Sequence, residues 1–210
     1  MTDFYGVLSQ SVQEGNADKV VQLVKEASAE GMPAIDILEK GLVPGVQALG
    51  KLFKDGQVYL PEVLISTRAM NRGLKELEPR LAGIDIHKKG TIVVGTVEGD
   101  LHDIGKSLVG MMLGCNGFNI VDLGVDVSAD SFVSAVKESN ADIVAMSGLL
   151  TTTMTYMPTV IVALKKAGLK VKVMIGGAPV NRAYADEIGA EGFAEDCTSA
   201  VDEAARLMAL

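Results

Sequence analysis

The side chains that most readily bind metals are scarce in this 210-residue chain: two histidines, His87 and His102, and two cysteines, Cys115 and Cys197. Two cysteines cannot build a disulfide framework or a four-ligand zinc site alone. His87 falls in the polar junction IDIHKKG. His102 stands in the stretch Val97-Glu98-Gly99-Asp100-Leu101-His102-Asp103-Ile104-Gly105, two residues after an aspartate. In extended backbone, positions two apart point the same way. Asp100 can therefore hold one ring nitrogen of His102, fix the tautomer, and leave the other nitrogen as a donor. A metal site built from protein alone wants about three or four ligands. One imidazole suffices only when the metal arrives inside a macrocycle that supplies its equatorial donors. An isolated D-x-H is more often a loop imidazole bonded to its neighbour, so the elements around it must decide.

Those elements change texture near residues 79–90. Before that point the chain reads as helices: Asp18–Glu30 with a stop at Gly31, a short helix from Pro33 to Gly41, Leu42–Phe53, and a helix beginning at Pro61 that Pro79 closes. These make a small bundle. The junction reads as a short tether. After residue 90 the pattern is strand, turn, helix, repeated. The strands are Thr91–Thr96, Asn119–Leu123, Asp142–Ser147, Lys170–Ile175 and a weaker Glu191–Ala194. Helices fall near 104–116, 129–139, 153–167, 181–189 and 198–209. Val/Ile runs without alternation suit strands buried on both faces, and five βα units imply a doubly wound parallel sheet.

In such sheets the ligand lies beyond the strand C-termini, where the strand order reverses. In the flavodoxin-like order this crevice is between the first and third strands. The loops to read are thus Val97–Gly105 and Ser147-Gly148-Leu149-Leu150-Thr151-Thr152-Thr153. The first lacks the G-x-G-x-x-G spacing that brings a backbone up to a pyrophosphate, and Glu98, Asp100 and Asp103 would repel one. The hydroxyl-rich phosphate loop of a flavodoxin is missing. A phospho-accepting Asp at the end of the third strand is missing too, since that strand ends in Met146-Ser147.

The set Asp100-x-His102-x-x-Gly105, Ser147-x-Leu149 and Gly176-Gly177, in this order and spacing, resembles the D-x-H-x-x-G, S-x-L and G-G signature of cobalamin-binding domains. The helical part, including Tyr59-Leu60-Pro61-Glu62-Val63-Leu64, resembles the cap of methyl-carrying corrinoid modules. Those modules are the corrinoid proteins of anaerobic methyltransferase systems and the B12 module of methionine synthase. The resemblance covers nearly the whole chain. It implies an all-α helical bundle cap over residues 1–88 and a cobalamin-binding α/β domain, flavodoxin/Rossmann-like with a five-stranded parallel sheet, over residues 89–210.

It further implies a cobalamin bound base-off and His-on, with its nucleotide tail buried in the domain. His102 would be the axial cobalt ligand and Asp100 its hydrogen-bond partner, with the Thr153 hydroxyl completing the relay. Ser147 and Thr151 would contact the tail or the corrin edge. Gly176 and Gly177 would leave room for the tail, and Ala178 with the segment 192–196 would line its channel. Gly99, Leu101, Asp103, Ile104, Gly105 and Leu149 complete the binding loops. Tyr59, Leu60 and Met70 are candidate contacts over the upper corrin face. Read without the resemblance, Cys115, Met70, Met111 and Met112 are core residues, Gly176-Gly177 is a strand-to-helix turn, and Thr151–Thr153 is a helix cap.

The activity implied is methyl carriage between a substrate:corrinoid methyltransferase and a methylcorrinoid:acceptor methyltransferase, the acceptor being tetrahydrofolate or a thiol. A reductive activase is a third expected partner. The chain would be a carrier subunit rather than a stand-alone enzyme. A B12-dependent light or redox regulator and the cobalamin subunit of a carbon-skeleton mutase remain open alternatives. The methyl donor also stays open among methanol, methylamines, betaines and methoxylated aromatics. Composition narrows the field further. Residues 90–210 hold 8 basic and 15 acidic side chains within a net charge of −8, and Trp is absent. An acidic surface repels phosphate backbones, which argues against nucleic acid. Apolar stretches are too short for a membrane span, and the N-terminus lacks the features of a secretory signal. A reducing cytoplasm is the expected location.

Overall fold

The computed structural model describes residues 3–81 and 89–209. Most of the junction, His87 included, lies outside the described residues. The chain separates into two compact units, Met1–His87 and Lys88–Leu210.

The first unit is helical: α1 (Phe4–Gln13), α2 (Ala17–Ala29), α3 (Ala34–Asp36), α4 (Val43–Lys54) and α5 (Leu60–Leu81). Helix α1, which the sequence pattern did not announce, begins at Asp3, whose carboxylate accepts the Gly6 N–H at 3.0 Å. The expected stop at Gly41 does not occur. Residues Ile37–Leu42 form a π-helical stretch that joins α3 to α4, with the Val43 N–H bonded to the Leu38 carbonyl five residues back. Pro44, which follows at once, has no N–H to give the regular ladder, and the wider turn absorbs that loss. Gly41 serves close approach instead. A Cβ there would lie 2.5 Å from Leu8 Cδ2. Pro79 likewise lies inside α5 rather than closing it.

The second unit is a five-stranded parallel sheet: β1 (Thr91–Thr96), β2 (Asn119–Asp122), β3 (Ile143–Ser147), β4 (Lys172–Gly176) and β5 (Gly192–Ala194), in the order β2-β1-β3-β4-β5. The helices are α6 (Ile104–Cys115), α7 (Ala129–Ser139), α8 (Thr151–Met154), α9 (Met157–Lys166), α10 (Arg182–Ile188) and α11 (Cys197–Leu207). The helix expected over 153–167 is thus two helices with a break at Thr155-Tyr156. One sheet face packs Val93, Val144, Val173 and Ile175 with Phe132 and Ile161; the other packs Ile92, Ile143 and Met174 with Leu113 and Ala204. Burial of both faces explains the unalternating strands. Parallel register sets Thr96 beside Ser147, Ser147 beside Gly176, and Gly176 beside Ala194. Four loops therefore leave one edge of the sheet side by side, with the reversal of strand order between β1 and β3.

Candidate functional site

Asp100 sits at that reversal, fully buried at the end of a tight turn in which its N–H donates to the Val97 carbonyl at 3.1 Å. Its carboxylate receives four donors. Oδ1 accepts from the His102 backbone N–H at 3.0 Å and lies 2.6 Å from His102 Nδ1. Oδ2 accepts from the Leu149 N–H at 2.7 Å and from the Thr153 hydroxyl at 2.6 Å. Burial alone would push this carboxyl toward its neutral form. The hydrogen bonds from Thr153, the His102 and Leu149 backbones and the His102 ring outweigh burial and hold it well below the usual carboxylate range. An ionised Asp100 carries no proton, so the proton in the 2.6 Å contact belongs to Nδ1. The remaining ring nitrogen, Nε2, makes no hydrogen bond to a described residue, and the side chain is 51% exposed. The Thr96 hydroxyl, at the end of β1, fixes the His102 carbonyl at 2.9 Å. The site therefore engages Nδ1 and leaves Nε2 as the ring nitrogen available to a ligand.

Sequence order alone places these side chains correctly along the chain, and the fold joins Asp100, His102, Leu149 and Thr153 directly. Leu149 contributes through its backbone, and its side chain is exposed. Gly99 takes φ +83° at the turn, and Asp103 precedes α6. Leu101 and Ile104 are each 72% exposed, and Leu149 and Leu150 are exposed beside them. At Gly105 a Cβ would meet nothing within 4 Å. Thr151 and Ala178 are exposed and Ser147 is half-buried, all at the same sheet edge. Gly176 and Gly177 have a nearer reason than ligand space. A Cβ on Gly177 would lie 1.9 Å from the Gly148 carbonyl oxygen, and one on Gly176 would lie 2.9 Å from that of Ala194. Within the helical unit, Tyr59 is 71% exposed while Met70 is 1% exposed, in the position of a core residue.

Several contributors escaped sequence reasoning. Asp126, in the loop after β2, accepts the Gly99 N–H at 2.7 Å and donates its own N–H to the Asp100 carbonyl at 3.0 Å. Lys106 is buried in the first turn of α6 with both carboxylate oxygens of Asp122 as partners. Tyr156, at the break between α8 and α9, donates to Glu98 at 2.8 Å. Only polar residues in the first turns after strands could have signalled them. Both thiols are buried, with Cys115 pushed up to about 12 and Cys197 to about 11, so neither is a nucleophile or a ready ligand.

Among the described residues, no group of three or more His, Cys, Asp and Glu is placed to hold a metal ion. A lone imidazole, with exposed leucine and isoleucine side chains on its own loop and on the loop after β3, suits a metal that is already enclosed in a macrocycle. Fold and site together define an α/β module that carries a prosthetic group. The comparisons with known proteins agree. A B12 binding domain model matches residues 90–204, and a second B12 binding domain model matches residues 7–78. A dimethylamine corrinoid protein of Methanosarcina acetivorans is 44% identical over 204 residues, 96% of this chain and 94% of that one. A corrinoid protein of Desulfitobacterium hafniense is 41% identical over 206 residues, 96% of this chain and 95% of that one. The crystal structure of the methanol:cobalamin methyltransferase complex of Methanosarcina barkeri aligns with a TM-score of 0.90 at 31% identity, covering 99% of this chain and 80% of that one. The chain belongs to the B12-binding corrinoid proteins. Its cofactor is cobalamin or a related corrinoid. Among the described residues no helix is long and apolar enough to cross a membrane.

Proposed function

We propose that this chain is the methyl-carrying subunit of a corrinoid-dependent methyltransferase system, and that His102 is the axial ligand of its cobalt. The observation that carries this reading is the buried Asp100 carboxylate, whose four donors include Nδ1 of the half-exposed His102 and leave Nε2 without a partner among the described residues. Bound there, a corrinoid supplies a cobalt ion that takes up and gives off a methyl group. The protein supplies orientation and tuning. Asp100, anionic and fully engaged, keeps the proton on Nδ1 and strengthens Nε2 as a donor. Thr153 spans the loops after β1 and β3 and holds the second carboxylate oxygen. His102 would hold the cobalt through Nε2, and Asp100 would keep the ring oriented toward it through Nδ1. The exposed side chains of Leu101, Ile104, Leu149 and Leu150 are the apolar groups that would face a bound corrin.

Ser147, Thr151, Gly176, Gly177, Ala178 and the segment 192–196 are the groups from which a tail-binding channel would be built, since parallel register brings the ends of β3, β4 and β5 together. Tyr59 is the exposed candidate for an upper-face contact; the burial of Met70 speaks against it in that role. The names of the relatives favour a methylated amine, dimethylamine first, as the methyl donor. Partners in this reading are a substrate:corrinoid methyltransferase, a second methyltransferase delivering to tetrahydrofolate or a thiol, and a reductive activase. The test is reconstitution with aquocobalamin. In His102→Gly the bound cofactor should show a base-off visible spectrum while some tail-anchored binding persists. A spectrum unchanged from the parent protein removes His102 from this role.

A further inference from the structure

Asp126 lies where the chain leaves β2, in a segment that runs on beside β1 beyond the end of its pairing with that strand. The Leu123 N–H donates to the Val94 carbonyl at 2.8 Å, the Thr96 N–H to the Gly124 carbonyl at 3.0 Å, and the Val127 N–H to the Thr96 carbonyl at 3.0 Å. Val97 and Val127 then form an isolated parallel bridge. These bonds leave Asp126 little freedom. It sits at φ +55° and meets the His102 loop at two points. Its carboxylate Oδ1 accepts the Gly99 N–H at 2.7 Å, and its N–H donates to the Asp100 carbonyl at 3.0 Å. Gly99 and Asp100 are therefore gripped from outside the turn they form. The other grips on Asp100 come from the opposite side, through Leu149 and Thr153 of the loop after β3.

We propose that Asp126 is a positioning residue: its carboxylate, by holding the Gly99 N–H, sets the Asp100 carboxylate against Nδ1 of His102 and so fixes which ring nitrogen faces the metal. This rests on His102 being the axial ligand. The mechanism is one of alignment. Gly99 is the most permissive residue of the turn. Without its anchor, the Gly99–Asp100 peptide can rotate, and the 2.6 Å contact to Nδ1 loosens. Charge-assisted hydrogen bonds are strong only at short range and good angle.

A residue at φ +55° could also be present for its turn alone, because Asp and Asn tolerate that region and Gly prefers it. Two variants of the full chain separate the roles. Asp126→Gly keeps the turn and removes the acceptor. Asp126→Asn keeps both. The first measurement is made on the apoprotein at fixed neutral pH: two-bond ¹H–¹⁵N NMR of the imidazoles, which reports the His102 tautomer. The parent and Asp126→Asn should show His102 with its proton on Nδ1, and Asp126→Gly should show a mixture of tautomers. The second is the visible spectrum after loading with aquocobalamin. There, the His-on to base-off ratio should fall up to about tenfold in Asp126→Gly, the factor that a single hydrogen bond can carry whether or not its acceptor is charged, and should stay near the parent value in Asp126→Asn. A parent-like tautomer in Asp126→Gly overturns the proposal, as does an Asp126→Asn protein that behaves like the glycine variant. If the parent spectrum is itself base-off, the assignment of His102 fails instead, whatever Asp126 does.

Discussion

Both units bury polar side chains, but they partner them in different ways. In the helical unit the buried hydroxyls turn back on their own helix, Ser11 to the Val7 carbonyl at 2.8 Å and Thr67 to the Val63 carbonyl at 2.7 Å. Ser28 and Ser66 bury hydroxyl oxygens with no partner among the described residues. In the α/β unit Asn116 and Thr198 also bond locally, to the Met112 carbonyl and to Asp196, but other buried groups reach distant elements: Asp100 to the loop after β3, Lys106 to β2, and Glu203 to Arg182 of α10 and the N–H of Phe193 in β5. Bonds inside one turn of helix constrain nothing beyond that turn. Bonds between distant loops fix the relative placement of those loops, which a pre-set donor atom requires. The difference locates the chemistry. The helical unit is held by apolar packing and glycine contacts, whereas the α/β unit holds a polar scaffold built around one imidazole.

The largest break in this contrast should come from backbone that cannot yield. In Gly177→Ala the new methyl would fall 1.9 Å from the Gly148 carbonyl oxygen, at a φ of +128° that side chains rarely adopt. Overpacking and backbone strain together should cost about 3 kcal/mol or more, or a fall of roughly 10 °C in Tm. In the helical unit, Gly31 has a φ of +76°, but a methyl added there would meet nothing within 4 Å. With backbone strain as its only penalty, Gly31→Ala should cost about 1 kcal/mol. Thermal melts of the two variants check the pair, and comparable losses would refute the distinction.

The next effect is on the ligand. Asp100→Asn keeps the shape but replaces one acceptor oxygen with an NH₂ that cannot accept from the His102 or Thr153 donors. Loss of such an outer partner should weaken histidine coordination by about 10- to 100-fold, read as a base-off spectrum with aquocobalamin. The same polar scaffold should make the α/β unit sensitive to acid. Glu203 is held at about 2 by its hydrogen bonds to Arg206 first, against burial, and then by Arg182 and the Phe193 N–H. Burial opposes the charge of Asp196, and hydrogen bonds from Ser199 and Thr198 overcome it to lower this group too. Asp100 is lowered as described above. A folded-state value below the unfolded one gives stability that is complete above the unfolded value, near 4, and is lost as pH falls through the folded one. Residues 89–210 expressed alone should bind aquocobalamin, and their Tm should fall steeply between about pH 5 and about pH 2. Glu203→Gln should flatten that slope. An unchanged slope would show that the Glu203 cluster does not contribute.

How much of this was legible depends on what each residue signals. Val/Ile runs at regular spacing announce a buried parallel sheet, and taking the flavodoxin-like strand order for it singled out the loops after β1 and β3 before any geometry was known. Within them, the Asp100–His102 pair is recognisable by type and spacing, whereas Thr153 read alone is a helix cap and is singled out only through the family resemblance. Gly41 was illegible because a helix stop and a close helix contact call for the same residue. The break at Thr155-Tyr156 carries no Gly, and Pro158 is equally at home in the first turn of a helix. Asp126 was hidden because its role depends on a loop that is remote in sequence, between β2 and α7, becoming the neighbour of β1. Met70 went the other way: read from its spacing it is a core residue, as its burial shows, and only the resemblance made it a candidate cofactor contact.

The smallest effect lies at the other pole of the comparison. Ser66 is fully buried in α5, and its hydroxyl has no partner among the described residues. A buried hydroxyl without a hydrogen bond is a net cost, because it gave up water and gained nothing. Alanine removes that cost with little change in volume, and it has the higher helix propensity by a few tenths of a kcal/mol. Ser66→Ala should therefore leave the chain as stable as before or more stable by about 1 kcal/mol, seen as a Tm that holds or rises. The equivalent change at a polar group of the α/β unit, Thr153→Ala, would strip Asp100 of a 2.6 Å donor and should destabilise. If Ser66→Ala is also destabilising, the helical unit holds a polar requirement of its own, and the division of labour between the two units fails.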